Sequence, residues 1–269
     1  MCLAFGMLYK GRFKVMNNEK KVLEVRNLTH YFDHKKALDD VSFDVYDGEF
    51  LAILGPSGCG KTTILRTLIG LLDASEGTIM MDGRDITHAP ASDRNMGIVF
   101  QNYALFENMT VLQNVQYALK IKKETKATSK EAALKMLDNM GLSEHAKKKP
   151  SMLSGGQQQR VAIARTLVLR PRVILFDEPM SALDVETRLA LRAELKNIQK
   201  EFGTTMIYIT HDQEEAFAMA DRIMVMDEAK LIQLDTPMGI IDHPANDYVQ
   251  RFVLNNLQIK VDSLTKYIK

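Results

Sequence analysis

A glycine-rich loop between two apolar segments is the feature that most limits how this chain can fold. Residues 50–54 (FLAIL) form a short apolar run, and residues 62–72 carry apolar side chains at helical spacing. Between them, residues 55–62 read GPSGCGKT and fit the pattern G-x-x-x-x-G-K-[ST]. The order of strand, loop and helix predicts a phosphate-binding loop in an α/β fold, because the glycines let backbone N–H groups surround a phosphate.

Three side chains of this loop have a predictable chemistry. We expect Lys61 to reach the β and γ phosphates of a nucleotide, and Thr62 to offer its hydroxyl to Mg²⁺. Cys59 lies near the positive end of the following helix, which we expect to lower its thiol pKa and make it reactive. The sequence suggests no partner base for a nucleophilic Cys59, and a small side chain tolerated by the loop is the alternative interpretation.

Composition argues against several classes of protein. The net charge of +1 does not supply the broad basic surface of a nucleic-acid-binding protein, so we predict no nucleic-acid partner. The two cysteines do not make a disulfide scaffold, and they fit a reducing compartment. No apolar run approaches the roughly 18 residues that a membrane-spanning helix needs.

Apolar patterning predicts two kinds of sheet. Residues 22–32 and 37–46 alternate apolar and polar side chains, as half-buried antiparallel strands do. Short continuous apolar runs separated by helical patterns predict a buried parallel sheet. These runs occupy residues 50–54, 173–176, 206–210 and 223–226. We therefore predict an α/β fold with an additional antiparallel β subdomain.

Three further segments complete the predicted organisation. Between about residues 102 and 170 the strand patterns stop, which predicts an inserted helical subdomain. Its helices are predicted at residues 111–123, 129–141 and 157–169. Residues 1–21 are predicted to be a partly disordered N-terminal extension. Met16 begins a polar stretch that is typical of the start of a protein, so residues 1–15 are predicted to be an upstream extension or the result of a misassigned start. Residues 237–269 are predicted to be a short C-terminal tail that docks through Tyr248, Phe252 and Leu257.

Polar residues follow the predicted parallel strands, at the end of the sheet where α/β proteins bind ligands. Asp177 can hold Mg²⁺ through water, and Glu178 can polarise the attacking water as a general base. His211 lies where it can donate to a γ phosphate. Gln101 can contact Mg²⁺ or the attacking water and report the γ phosphate to the helical insertion. The alternative interpretations are an exposed acid pair in a turn and a structural histidine.

Taken in order, the motifs resemble those of the ATP-binding cassette (ABC) family. The resemblance rests on GPSGCGKT, Gln101, LSGGQ at 153–157, Asp177 with Glu178, SALD at 181–184, and His211. A phosphate loop alone would not separate this family from kinases or GTPases, whereas LSGGQ at this distance does. The resemblance implies an ABC ATPase domain over residues 22–236, with a P-loop NTPase core and the helical subdomain at about 102–170.

The resemblance also implies which residues bind the nucleotide. ATP would contact Gly55, Pro56, Ser57, Gly58, Cys59, Gly60, Lys61, Thr62, Thr63 and Phe32. Mg²⁺ would be held by Thr62, Gln101 and Asp177, and the catalytic residues would be Glu178, His211 and Gln101. Two cassettes of this family pack head to tail, so one chain would cap the γ phosphate in its partner through Ser154, Gly155, Gly156 and Gln157. Asp184 would couple the two sites.

Residues 109–115 and 209–223 look most like the import branch of the family. This likeness implies an energy-coupling subunit, as a homodimer or paired with a related cassette, bound peripherally at the cytoplasmic face of the plasma membrane. Its partners would be integral permease subunits and, through them, a solute-binding protein for a polyamine, ferric iron, a phosphonate or a quaternary amine. Tyr103, Phe106 and Met109 would contact the permease or belong to the subdomain core.

The chain departs from the family pattern at three places. Phe32, beside Tyr31, stands where a tyrosine usually stacks on adenine. The turn at residues 227–230 lacks the usual glycine, which leaves its geometry open, and the chain stops at Lys269, so we do not expect a long C-terminal regulatory domain. The alternative function is a soluble, non-transport ABC ATPase acting on the ribosome or DNA. The single cassette without sustained heptads disfavours it.

Overall fold

The computed structural model describes residues 20–121, 125–181 and 183–265. Residues 1–19, nearly all of the predicted N-terminal extension, lie outside this description. The strands are β1 Lys21–Phe32, β2 Lys35–Tyr46, β3 Phe50–Leu54, β4 Glu76–Met81, β5 Arg84–Asp85, β6 Met96–Val99, β7 Val173–Asp177, β8 Thr205–Thr210, β9 Arg222–Asp227 and β10 Lys230–Asp235. The continuous apolar runs thus predicted four of these strands to within one residue.

The helices lie between and after the strands in the chain. They are α1 Lys61–Ile69, α2 Val111–Ile121, α3 Ser129–Asn139, α4 Gly155–Leu167, α5 Val185–Phe202, α6 Gln213–Met219, α7 Pro237–Asp242, α8 Asp247–Val249 and α9 Asn256–Thr265. Shorter 3-10 turns occur at Ala91–Asp93, Ser143–His145 and Pro150–Met152, and a π-helical turn, Gln250–Asn255, leads into α9. Among the helices of the described ranges, none is both long enough and apolar enough to cross a membrane.

Two sheets form the frame of the fold. The smaller sheet is antiparallel with the strand order β2-β1-β4-β5, and the larger has the order β10-β9-β3-β8-β7-β6. Strands β9, β3, β8, β7 and β6 run parallel, and β10 is antiparallel to β9. The predicted α/β class, with an antiparallel β subdomain beside a parallel sheet, is confirmed.

The central parallel strands are buried on both faces. Strands β3 and β8 are buried at every position. Because alternate side chains of a strand point to opposite faces, β3 contributes to two separate apolar clusters. Phe50, Ala52 and Leu54 belong to one cluster, and Leu51 and Ile53 belong to the other. Packing on both faces therefore fixes the carboxyl end of β3, where the phosphate loop begins.

Helix α4 begins earlier than predicted. Its first residue is Gly155, not residue 157, because the side chain of Ser154 caps the helix. The backbone N–H of Gln157 donates to Ser154 Oγ at 3.4 Å, and the backbone N–H of Ser154 donates to Gln157 Oε1 at 3.0 Å. This reciprocal capping box places both glycines of the LSGGQ turn in the first turn of the helix.

The turn without a glycine still closes a hairpin. Asp227 pairs with Lys230, so Glu228 and Ala229 make a two-residue loop with φ of 42° and 68°. A type I′ turn needs positive φ at both positions, which costs about 1 kcal/mol for a residue other than glycine. The backbone N–H of Asp39 donates to the Ala229 carbonyl at 2.9 Å. This bond to the neighbouring sheet helps to hold the turn.

The described part of the C-terminal tail packs on the core. The rings of Tyr248 and Phe252 stack with their centroids 5.4 Å apart. Both rings and Leu257 contact the apolar cluster that includes Val249 and Val253. The three side chains predicted to dock the tail therefore do pack against the rest of the protein.

Candidate nucleotide-binding and hydrolytic site

The phosphate loop connects strand β3 to helix α1. Gly58 and Gly60 have φ of 82° and 104°, in the region that favours glycine. A Cβ at Gly60 would lie 2.5 Å from the carbonyl oxygen of Ala37. The backbone conformation and this close contact together explain why the loop needs glycine at Gly60.

Lys61 begins helix α1, and its side chain folds back over the loop. Its Nζ donates to the carbonyl oxygens of Gly55 and Pro56, both at 2.8 Å, and Lys61 is 5% exposed. An ammonium group has three donor hydrogens, so a phosphate oxygen could complete its contacts. The loop therefore holds a nearly buried cation beside the positive end of a helix, an arrangement suited to an anion.

The structure contradicts the prediction of a reactive Cys59. Its side chain is buried, and this burial raises the pKa of the thiol above its ordinary value, although the charge of Lys61 opposes the shift. Desolvation thus disfavours the thiolate more strongly than the nearby positive charge favours it. The predicted low pKa was wrong, and the alternative interpretation of a small side chain tolerated by the loop agrees with the structure.

We expect Cys59 to resist alkylation in the folded protein. In a Cys2→Ser variant, which leaves Cys59 as the single thiol of the sequence, iodoacetamide should react at least about tenfold more slowly than after denaturation. Because the pKa is raised, the rate should begin to increase at a higher pH than for an ordinary thiol. Mass spectrometry of timed reactions measures this, and rapid complete labelling of the folded protein at neutral pH would contradict it.

The end of strand β7 lies beside the start of helix α1. The Thr62 hydroxyl donates to Asp177 Oδ1 at 3.3 Å. Burial raises the pKa of Asp177, the Thr62 hydrogen bond lowers it, and the charge of Glu178 raises it further. A divalent cation would favour the carboxylate form of Asp177, and Mg²⁺ prefers such oxygen ligands. Thr62 and Asp177 therefore fit Mg²⁺ as two neighbouring ligands.

The rest of a magnesium site would come from the nucleotide. Within the described ranges, no three His, Cys, Asp or Glu side chains cluster as a metal site. Mg²⁺ commonly keeps waters and binds through a few protein oxygens plus substrate phosphates. The third predicted ligand, Gln101, donates from Nε2 to Ser181 Oγ at 2.8 Å, and that hydroxyl donates to the carbonyl oxygen of Glu178 at 3.0 Å. Gln101 is therefore connected to the backbone of Glu178.

Glu178 and His211 meet at the ends of the adjacent strands β7 and β8. His211 Nδ1 lies 2.9 Å from Glu178 Oε2, and the backbone N–H of Glu178 donates to the Ile209 carbonyl at 3.2 Å. The φ of Glu178 is 45°, a left-handed conformation that is strained for this residue. The side chain of Glu178 is 23% exposed and that of His211 is 56% exposed, so a ligand can reach both. An acid and a histidine that are distant in the chain thus form one polar pair.

A buried polar network lies behind His211. Glu215 Oε2 accepts hydrogen bonds from the Tyr208 hydroxyl at 2.8 Å and from Thr210 Oγ1 at 2.7 Å. Thr210 Oγ1 also accepts from the backbone N–H of Asp212 at 3.0 Å. Burial, and then the charge of Glu215, raises the pKa of Tyr208 well above its ordinary value. Our sequence analysis missed this network. Its signal was a tyrosine and a threonine within an apolar strand, followed by a carboxylate one helical turn after His211.

The LSGGQ turn and Asp184 begin neighbouring helices. Asp184 caps α5, because its carboxylate accepts from the backbone N–H of Thr187 at 2.9 Å and from the Thr187 hydroxyl at 2.8 Å. These bonds lower the pKa of Asp184. A Cβ at Gly156 would lie 3.2 Å from Thr187 Cγ2, so the glycine turn packs closely on α5. Ser154 and Gly155 remain exposed at the surface.

Phe32 lies at the end of the antiparallel sheet with half of its surface exposed. Its ring meets His30 edge to face, with centroids 4.7 Å apart. Tyr31 already has two partners, since its hydroxyl lies 3.5 Å from Glu76 Oε1 and Lys36 Nζ lies 5.9 Å from its ring centroid. Phe32 is therefore the freer of the two rings for stacking on a base.

Comparison with known protein families accounts for this arrangement. Residues 38–181 match the family described as ABC transporter. The chain belongs to the ABC transporter family. As a member of this family it carries the ATP-binding domain.

Curated relatives of this ABC protein include import ATP-binding proteins. The spermidine/putrescine import ATP-binding protein PotA of Marinobacter nauticus is 48% identical over 235 residues, which cover 87% of this chain and 63% of that protein. PotA of Oleidesulfovibrio alaskensis is 46% identical over 238 residues, which cover 88% of this chain and 64% of that protein. The chain therefore spans less than two thirds of the length of these relatives.

Solved ABC cassettes share the fold. The structure of cbiO1 from Clostridium perfringens, part of the ABC transporter complex cbiONQ, superposes with a TM-score of 0.78 at 29% identity, covering 91% of this chain and 100% of that one. A nucleotide-free ATP-binding cassette from an ABC transporter gives a TM-score of 0.77 at 27% identity, covering 87% of this chain and 98% of that one. The family and the fold thus agree.

One cavity of the fold lies away from the ABC motifs. A cavity of about 910 Å³ lies between α3 and the end of α5, and its walls include Lys135, Arg172 and Phe202. None of the predicted site residues lines it. A ligand of the phosphate loop would instead lie on the surface that also carries Glu178 and His211.

Proposed function

We propose that this chain hydrolyses ATP, with Mg²⁺, as the energy-coupling subunit of an ABC importer. The observation that carries the proposal is the 2.9 Å contact between His211 and Glu178, at the end of the strand that also brings Asp177 to Thr62. A carboxylate that can accept a proton and a histidine that can donate to a phosphate then lie next to one nucleotide.

The proposed chemistry divides among a few side chains. Glu178 takes a proton from water as the water oxygen forms a bond to the γ phosphorus. The bond from the γ phosphorus to the bridging oxygen breaks, and ADP leaves with that oxygen and the electron pair of the bond. His211 donates to the γ phosphate, while Lys61 and the start of α1 stabilise the phosphate charge. Mg²⁺ held by Thr62 and Asp177 would neutralise further charge on the phosphates. Gln101, which contacts Ser181, would report the γ phosphate to the helical subdomain.

We further propose that two cassettes bind ATP between them, head to tail. The exposed turn of Ser154 and Gly155 and the start of α4 would then face the γ phosphate held by the partner's phosphate loop. Backbone amides and the helix end attract that phosphate and lose the attraction once it leaves. ATP binding would close the dimer, hydrolysis would reopen it, and Asp184 would couple the two sites.

The proposed solute is a polyamine, because both of the compared relatives are named for import of spermidine and putrescine. The proposed partners are permease subunits at the cytoplasmic face of the plasma membrane and, through them, a solute-binding protein. Phe106 and Tyr117 support a permease contact. They are partly exposed, and their ring centroids lie 4.7 Å apart in the helical subdomain.

Three experiments test the proposal. The purified chain should release phosphate from ATP only when Mg²⁺ is present, and cells lacking this chain should regain uptake of labelled spermidine or putrescine when it is supplied. A membrane pull-down of tagged protein, with and without ATP, should recover a multi-span permease. Recovery of ribosomes or DNA without a permease would keep the ATPase proposal and overturn the transport proposal.

A further inference from the structure

Arg188 lies behind the proposed catalytic histidine and outside every motif named above. It is on helix α5, one turn after the cap Asp184, and its Nη2 donates to the carbonyl oxygen of Leu183 at 3.1 Å. Two other nitrogens face carboxylates, because Nη1 lies 3.8 Å from Asp212 Oδ2 and Nε lies 3.7 Å from Glu215 Oε1. One guanidinium therefore connects the loop that ends at Asp184 with helix α6.

These two carboxylates fix the backbone on both sides of His211. Glu215 accepts the hydroxyl of Thr210, the residue before His211, at 2.7 Å. Asp212, the residue after it, caps helix α6 through its side chain. The backbone on either side of His211 is thus anchored by groups that face Arg188. A shift of either carboxylate would move the imidazole relative to Glu178, to which it is hydrogen-bonded.

Arg188 also lines a small cavity beside the proposed catalytic pair. A cavity of about 40 Å³ is lined by Arg188, Glu178, Thr210 and His211, among others. The Arg188 side chain is 29% exposed and that of Glu215 is 6% exposed, so this ion pair is less screened than one on the open surface. The Nε atom of Arg188 is buried and makes no hydrogen bond within the described ranges, so the Glu215 carboxylate at 3.7 Å is the group that meets its charge.

We propose that Arg188 is a positioning residue for ATP hydrolysis, which holds His211 in place through Asp212 and Glu215 and links it to the loop ending at Asp184 through Leu183. The inference rests on the proposed function and deepens it. Arg188 is not expected to touch the nucleotide. If Asp184 faces the partner subunit, this bridge lets a change at that interface move the histidine that contacts the γ phosphate.

Steady-state kinetics of Arg188→Met give the first test. Methionine keeps an apolar stem and removes the three guanidinium contacts. We expect kcat to fall about tenfold while the KM for MgATP stays within about twofold, because the bridge acts on catalytic geometry and not on the phosphate loop. Lys200→Met is the matched control. It removes a positive charge from an exposed position of the same helix, and its kcat should match that of the wild type.

A double-mutant cycle separates positioning from general stability. Asp212→Asn retains a side chain that caps helices well but removes the charge that faces Arg188. The Arg188→Met and Asp212→Asn losses in kcat should be strongly non-additive, since both break the same contact. Lys260→Met is a second control, because Lys260 Nζ lies 3.5 Å from Asp212 Oδ1 and 3.0 Å from Glu214 Oε1, so its loss removes another cation from Asp212 and leaves Arg188 in place. We expect kcat to fall in Asp212→Asn and not in Lys260→Met. This comparison tests the bridge even if Arg188→Met does not fold.

The possible failures point to different parts of the argument. If the wild type hydrolyses ATP and Arg188→Met has a kcat within twofold of the wild-type value, the role of Arg188 alone is overturned. Additive losses in the double-mutant cycle would have the same consequence. A wild-type chain that hydrolyses no ATP in complex with its permease would overturn the proposed function and this inference together.

Discussion

Replacing Glu178 by glutamine is expected to lower kcat for ATP hydrolysis by about a thousandfold and to leave ATP binding nearly unchanged. Glutamine has the same shape and can still hydrogen-bond to His211, which lies 2.9 Å from Glu178 Oε2. It cannot accept a proton from the attacking water. General-base catalysis commonly contributes about 10²–10⁴-fold, so the loss of the base alone accounts for an effect of this size.

The same variant should accumulate as a dimer when ATP is present. Bound ATP would draw the LSGGQ turn of one chain onto the phosphate of the other, and without hydrolysis the attraction persists. Phosphate release measures turnover, and size-exclusion chromatography with and without ATP measures the dimer. Glu201→Gln, which makes the same chemical change at an exposed position outside the site, is the matched control. Near-normal turnover by Glu178→Gln would remove Glu178 as the base.

The features that could be predicted from the sequence are those fixed by near neighbours in the chain. The glycines of the phosphate loop follow from local backbone conformation, as the positive φ of Gly58 and Gly60 shows. Strand β3 was predicted with its observed ends because a five-residue apolar run followed by a glycine turn is typical of a strand in a sheet that is covered on both faces. The neighbouring positions of Glu178 and His211 followed from the rule that parallel strands end at one edge.

The features that could not be predicted depend on packing between distant segments. The pKa of Cys59 reflects a balance between burial and the charge of Lys61, and only the folded environment shows that burial prevails. The contacts of Arg188 with Asp212 and Glu215 join helices whose relative positions no local pattern encodes. In the sequence, nothing about Arg188 separates it from the other arginines of the chain.

Replacing Lys61 by methionine is expected to weaken ATP binding by about a hundredfold. A hydrogen bond to a charged group contributes about 1.5–3 kcal/mol, and about 2.7 kcal/mol corresponds to a factor of one hundred in affinity. Methionine is similar in length and tolerates the nearly buried position of Lys61, so the melting temperature should stay within a few degrees. Calorimetric titration with ATP measures the affinity, and Lys200→Met, at an exposed position, should bind ATP normally.

Combining the two substitutions separates binding from catalysis. If ATP held by Lys61 draws in the LSGGQ turn of the partner, Lys61→Met should abolish the ATP-dependent dimer that Glu178→Gln accumulates. The Glu178→Gln background also stops hydrolysis during the titration, so the measured affinity is that of intact ATP. A double variant that still dimerises with ATP would show that the nucleotide joining the two chains does not depend on this phosphate loop, and the head-to-tail proposal would then fail even if each single variant behaved as expected.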